Sequence, residues 1–493
     1  MSRRELQDWI VKIADVARGY GLDFFETRFE VVSYETMNEL AAYSGFPGRY
    51  PHWRFGMEYE RLEKSYAYGL HRIYEMVVNN DPSYAYLMED NRLVDNKMVI
   101  SHVYAHVDFF KNNQWFAPTN RKAMDEMANH GARIRRYIEE FGLETVEGFI
   151  DQCLSLENLQ DYYAPYVVRR RVESRPTEVE PAERRRAVEG MRFKTKKYLE
   201  PYVNPEELVA EEGRQAEARI VEEKKYPVAE RDVLGFLATH APIPRWQKNI
   251  LSMIREEAIY FAPQRMTKIM NEGWATYWHS RMMTEKLLTD AEVLDFADHH
   301  SRTVAKQPGQ LNPYALGLAL LRDVKERWDQ GRFGKEYDDC DNLAERESWD
   351  RHLGLGMQKL FEIRRIYNDV MFLDEFLTPE FVQRQRLFTW KEDDRGTARI
   401  DTRQFNEVKQ SLLNQLTNLG DPVITLEDDN HANRKELYLV HRFDGTPLRR
   451  DWAVECLKNL ARLWTRPVHL ETLVEGKKRV FSSDGDKTSE ATA

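Results

Sequence analysis

The strongest constraint on this 493-residue chain is the stretch at 92–114, RLVDNKMVISHVYAHVDFFKNNQ, which predicts a strongly apolar helix. A helix of that composition has to be enclosed by other elements, and 42% hydrophobic residues are enough to build a sizeable core around it. The same helix carries His102 and His106 at i and i+4, which places both imidazoles on one face with Cβ atoms about 6 Å apart. A second stretch, KIMNEGWATYWHSRM at 268–282, sets Glu272 and His279 two helical turns apart among Trp, Tyr and Met. Titratable groups in such surroundings are where function is to be sought.

The remaining composition excludes more than it identifies. Lys plus Arg is 72 against 82 for Asp plus Glu, a net charge of −10, and no reading motif accompanies it. Nucleic-acid binding is not expected from that balance. The cysteines, Cys153, Cys340 and Cys456, are odd in number and widely spaced, so no disulfide framework is expected and a reducing cytoplasm is the expected location. The N-terminal stretch has charges through its apolar positions and reads as an amphipathic helix rather than a signal peptide. No window approaches 18 apolar residues, so membrane insertion is not expected.

Along the chain, the fold class is mainly α, with a small C-terminal α+β domain. Helices are expected at 4–18, from Ser33 to Gly45, over "YERLEKSYAYGLHRIYEMVVNN", again after Pro82, at 92–114, at 119–140, and from 230 to about 375. "GLDFFETRFEVVS" is a short strand or an extended link, and "FPGRYPHWRFG" a loop too apolar to be left in water. The expected domains are a helical core at 1–168 and 230–384, a charged insertion at 169–229, an α+β domain at 385–480 and a disordered tail at 481–493.

Two imidazoles at i and i+4 can fill two corners of a tetrahedral zinc site. The zincin motif H-E-x-x-H uses this spacing with its Glu as general base; here that position is Val103. Glu272, on an N-E-G-x-A helix, resembles the third ligand of gluzincin metallopeptidases, although gluzincins place that helix close behind the histidines and this chain does not. The expected metal site is His102, His106 and Glu272 with Zn²⁺. The alternative is that the histidines are simply hydrogen-bonded in the core and that Glu272 pairs with an arginine or caps a helix. Glu257 or His279 is the expected general base. His130, Asp108, His52, Arg54, His240, Glu256 and His300 are candidates for the surrounding shell or for substrate contact.

The stretches "YPHWRFGMEYE", "HVYAHVDFFKNNQWF", "IREEAIYFAPQRMTKIMNEGWATYWHS" and "LNPYALGLALLRDV", with "NRKELYLVHRFDGTPLRRDWAVECLKNLARLW" near the C-terminus, resemble the SpoVR family, named for a stage V sporulation protein. The resemblance runs from about residue 5 to 475. It implies a role in sporulation and spore cortex formation or in stress response, in a family that also occurs in bacteria that make no spores. It implies a PrkA-type serine kinase and a von Willebrand factor A-like protein as partners, and it marks His102, His106, Asp108, Glu272 and His279 as motif positions. Two functions follow as expectations: a zinc-dependent hydrolase of an amide such as cell-wall peptide, or a regulator without chemistry that works with those partners.

Overall fold

The segment of continuous apolar character does form a helix, and its burial is nearly complete: every residue from Val94 to Phe110 is buried. Its neighbours in space explain why. In the computed structural model, which describes residues 3–67, 75–167, 230–307, 309–392 and 398–492, the chain divides into two compact units. The first is Met1–Asp151 with Met253–Asp421, and the second Gln152–Ser252 with Pro422–Ala493.

The helices are, in chain order, α1 (Arg3–Gly19), α2 (Tyr34–Ala42), α3 (Trp53–Ala67), α4 (Leu93–Asn112), α5 (Ala123–Phe141), α6 (Leu143–Leu154), α7 (Val233–His240), α8 (Arg245–Met266), α9 (Lys268–Met282), α10 (Val293–Thr303), α11 (Pro313–Gln330), α12 (Gly356–Ile366), α13 (Asp369–Phe376), α14 (Pro379–Gln385), α15 (Phe405–Leu416) and α16 (Arg450–Trp464). Two short helices, Lys335–Asp338 and Leu343–Glu347, lie between α11 and α12.

In the first unit, α4 and α9 form the centre, with α1, α11 and α12 packed around them in one apolar core. The approach of α9 to α11 depends on two glycines. A Cβ on Gly273 would stand 2.5 Å from the backbone of Gly317. The helices therefore touch backbone to backbone at a point where no side chain fits. The first turn of α9 is completed from outside the helix. Asp369 accepts hydrogen bonds from the N–H groups of Ile269 (2.8 Å) and Met270 (2.9 Å), where Thr267 offers no side-chain cap.

The helix expected after Pro82 is a strand instead. β1 (Thr27–Val32), β2 (Glu75–Val78) and β3 (Ser83–Met88) form a sheet of order β1-β3-β2, with β3 parallel to β1 and antiparallel to β2. Burial of Ala85 and Leu87 on one face and Tyr86 and Met88 on the other encloses β3 from both sides, so it lacks the alternation that would have marked it as a strand. The helix expected over 59–80 ends within the described residues at Ala67, and Glu75–Val78 of that stretch is β2.

The second unit carries a five-stranded sheet of order β10-β9-β8-β7-β6, built from β6 (Ile424–His431), β7 (Glu436–His441), β8 (Val468–Val474), β9 (Lys477–Ser483) and β10 (Thr488–Thr492). β7 and β8 are parallel and α16 connects them; the other pairs are antiparallel. The protein is thus mainly α with a small C-terminal α+β part. The expected boundary at 385 falls inside the first unit, which keeps α15 and the hairpin of β4 (Thr389–Glu392) and β5 (Ala398–Thr402). The tail expected to be disordered pairs as β10 with β9, Thr488 opposite Ser483 and Thr492 opposite Arg479. Its turn is set by Gly485 at φ +104 and by Asp484 Oδ1, which accepts from Asp486 and Lys487 N–H. Backbone pairing orders the tail although every residue of β10 is exposed. The charged insertion expected at 169–229 lies outside the described residues. Among the described residues no helix is long and apolar enough to cross a membrane.

Candidate metal centre

The two histidines of α4 and the acid of α9 meet. One ligand atom from each of His102, His106 and Glu272 falls in a group whose members all lie within 4.8 Å of one another, the one such group of three among the described residues. Glu272 Oε2 stands 3.6 Å from His102 Nε2 and 3.5 Å from His106 Nε2. Donors held tetrahedrally at zinc-ligand distances stand about 3.4 Å apart, so both spacings match a shared cation.

The helices run antiparallel, and their pairing shows it: the earlier residue of α9 meets the later histidine of α4. Asn271 Oδ1 accepts from His106 Nδ1 at 2.9 Å, while His279 Nδ1 lies 2.8 Å from His102 Nδ1. One helix therefore supplies the acid and, on either side of it, the group behind each imidazole. With their Nδ1 atoms occupied, both rings turn Nε2 towards Glu272. Phe110 stacks on His106 and Tyr314 on His102, closing the flanks.

The electrostatics are those of an acid held by two imidazoles. The Glu272 side chain is 18% exposed as a whole, yet Oε2 is buried and has no hydrogen-bond partner. Burial raises the affinity of this carboxyl for a proton, but the imidazoles of His102 and His106 outweigh it and hold the group well below the usual carboxylate range. Burial, with the neighbouring imidazoles of His102 and His300 adding to it, drives His279 well below the usual histidine range, so it is neutral. His300 follows through a 3.1 Å contact from its Nδ1 to His279 Nε2. Burial first, then the Arg322 guanidinium, lowers it too.

The other expected site residues lie elsewhere. Glu257 is not placed to act as a base at this cluster: its Oε2 accepts from Arg49 at 2.7 Å and its Oε1 faces His130 Nδ1 at 3.3 Å. With Glu256, 3.2 Å from His130 Nε2, these residues form a second cluster. Asp108 is a structural tie: its carboxylate accepts from Arg364, the Asp23 N–H and the Trp274 indole. His52 and Arg54 belong to the aromatic loop, where His52 faces Asp151 and Arg54 donates to the Tyr50 hydroxyl. His240 ends α7 in the second unit, its ring beside Phe236. Val103 is fully buried.

Asn271, Tyr314, Gly273, Gly317 and Asp369 were not singled out in the sequence. The first and third stood inside "NEG" next to the acid, the second and fourth inside "NPYALGL"; Asp369 left no signal, because a cap supplied from a distant segment has no local spacing.

A family model described as SpoVR like protein matches residues 1–421, and one described as SpoVR-like C-terminal domain matches residues 422–475. Their junction coincides with the last of the three chain positions at which the two units divide, while 152–252 of the second unit falls within the first match. The Escherichia coli (strain K12) protein with the name "Uncharacterized protein YcgB" is 30% identical over 495 residues, covering 94% of this chain and 91% of its own. No solved structure matches.

Proposed function

The chain belongs to the SpoVR-like family, and from that premise we propose that its helical unit holds a divalent cation, Zn²⁺ first, on His102, His106 and Glu272 and hydrolyses an amide, cell-wall peptide being the substrate class. The observation that carries the reading is the buried Glu272 Oε2, which lacks a hydrogen bond and faces two imidazoles at 3.5 and 3.6 Å. A carboxylate so placed is expensive unless a cation or a proton settles it. Two imidazoles and one carboxylate leave a fourth corner open, the donor set of catalytic rather than purely structural zinc. When bound, such an ion supplies Lewis-acid chemistry for a carbonyl. The protein's own residues then have definite tasks: Asn271 and His279 hold the two ligand rings, and Phe110 and Tyr314 exclude water from their flanks.

A second reading, a regulator acting with a PrkA-type kinase and a von Willebrand factor A-like protein in sporulation or stress response, has its own support. Val103 stands where a zincin has its base, and both oxygens of Glu257 are engaged elsewhere. Elemental analysis with an amidase assay on peptidoglycan peptides separates the readings. One zinc per chain with hydrolysis that Glu272→Gln abolishes supports the first. One zinc without hydrolysis, together with recovery of the kinase in a pull-down, supports the second. Wild-type protein that carries no zinc and ignores added zinc or chelator sinks the cation site.

A further inference from the structure

An imidazole that ligates through Nε2 must carry its proton on Nδ1, and that proton needs an acceptor. For His106 the acceptor is an amide oxygen, Asn271 Oδ1 at 2.9 Å. For His102 the group in the same place is another imidazole, His279, Nδ1 to Nδ1 at 2.8 Å. Two ring nitrogens at that distance share one proton, so only one of them donates. If His102 donates, His279 must accept at Nδ1 and carry its own proton on Nε2. That nitrogen lies 3.1 Å from His300 Nδ1. His300 then accepts in turn and keeps its proton on Nε2, at the half-buried end of the row.

We propose that His279 and His300 are positioning residues for His102, a directional row of imidazoles whose polarity is set when a cation occupies His102 Nε2. The inference rests on the reading of His102, His106 and Glu272 as the cation site. It follows from an asymmetry between the two ligand rings. Asn271 Oδ1 can only accept, so His106 is held by a fixed group. His279 can accept or donate at Nδ1, and it accepts there only when its own proton sits on Nε2, where His300 Nδ1 is placed to take it. Without His300, nothing keeps His279 from turning an N–H towards His102, which would force the His102 lone pair onto Nδ1 and its proton onto Nε2, the ligating atom. The neighbouring ring is committed elsewhere at one nitrogen, His299 Nδ1 facing Asp95 Oδ1 at 3.2 Å.

The test uses the full chain with ¹⁵N-labelled histidine and Zn²⁺. In the zinc-loaded wild type, long-range ¹H–¹⁵N correlations should show His102 and His106 protonated at Nδ1, and His279 and His300 at Nε2. His279 protonated at Nδ1 overturns the inference. Competition for Zn²⁺ against a chromophoric chelator supplies the second readout. His279→Leu should weaken binding by about 10- to 100-fold. His279→Asn, whose Oδ1 falls where the histidine Nδ1 lies, should recover most of that loss, and His300→Leu should weaken binding less than His279→Leu. Wild-type affinity in His279→Leu overturns the inference and leaves the cation site standing. A wild-type chain that does not take up Zn²⁺ removes both, and that titration precedes any variant. The labelled wild-type spectrum decides the matter even where a variant fails to fold.

Discussion

Two buried acids in the helical unit are settled in opposite ways. Glu257 has an internal cation: Arg49, itself 2% exposed in its side chain, binds one oxygen, and His130 faces the other. Among the described residues Glu272 faces two imidazoles and no guanidinium or ammonium, and one of its oxygens lacks a hydrogen bond. The first arrangement is complete within the chain. The second is complete only with a proton or an added cation. A buried carboxylate is thus structural or receptive according to whether the fold has already supplied its counter-charge.

The comparison breaks most forcefully at Arg49. Arg49→Met strips the guanidinium from one buried oxygen of Glu257 and should destabilise the chain by about 3–5 kcal/mol, read from urea unfolding with and without Zn²⁺; the loss should be the same in both. Glu272→Gln should act chiefly through zinc. Because the His102 and His106 imidazoles already hold Glu272 as a carboxylate, the zinc-free variant should lose some stability, but less than Arg49→Met does. What it should abolish is the gain from zinc, about 2.7 kcal/mol for wild type at a hundredfold excess over Kd, measured as the change in unfolding free energy on adding zinc. A zinc-dependent gain that survives in Glu272→Gln would show that the cation binds elsewhere.

Gly273→Ala separates the regions by geometry. The added methyl must push α9 away from α11, at a cost of about 1–3 kcal/mol. Zinc affinity should fall with it, since Glu272 is the adjacent residue, while the pH behaviour of the Arg49–Glu257–His130 cluster should not change. That behaviour is the smallest effect. Burial lowers His130, but the carboxylates of Glu256 and Glu257 outweigh it and push it above its ordinary 6.5 to about 9. A raised histidine stabilises the fold fully below about 6.5 and loses that contribution as pH rises through about 9, on the order of 1 kcal/mol given that Glu256 is half exposed. Stability curves between pH 6 and 10 should therefore slope downward in the wild type and flatten in His130→Gln.

How much of this was legible depends on the range of the interaction involved. The ligands of α4 were readable because i, i+4 spacing is a property of one helix. Glu272 was readable because an acid among Ile269, Met270 and Trp274 has to be buried near something. Glu257 stood among equally apolar neighbours and was read as a base, since local pattern does not reveal that Arg49, 208 positions earlier, would neutralise it. The strand β3 was misread for a related reason: enclosed on both faces, it shows no alternation, and its partner β1 lies far upstream. The tail was misread because composition predicts side-chain burial, whereas β10 is ordered by backbone hydrogen bonds.

The amino-acid order alone determined that 93–112 and 268–282 would be helices, that both would be buried, and that one would carry two imidazoles on a single face. Those are consequences of periodicity and hydrophobicity within about twenty residues. Only the tertiary structure decided which buried acid met an arginine and which met the histidines. That choice was made by contacts such as Gly273 against Gly317 and Asp369 against the start of α9, which set where the helix lies along its neighbours. Such contacts join residues separated by tens to hundreds of positions, and no local spacing encodes them.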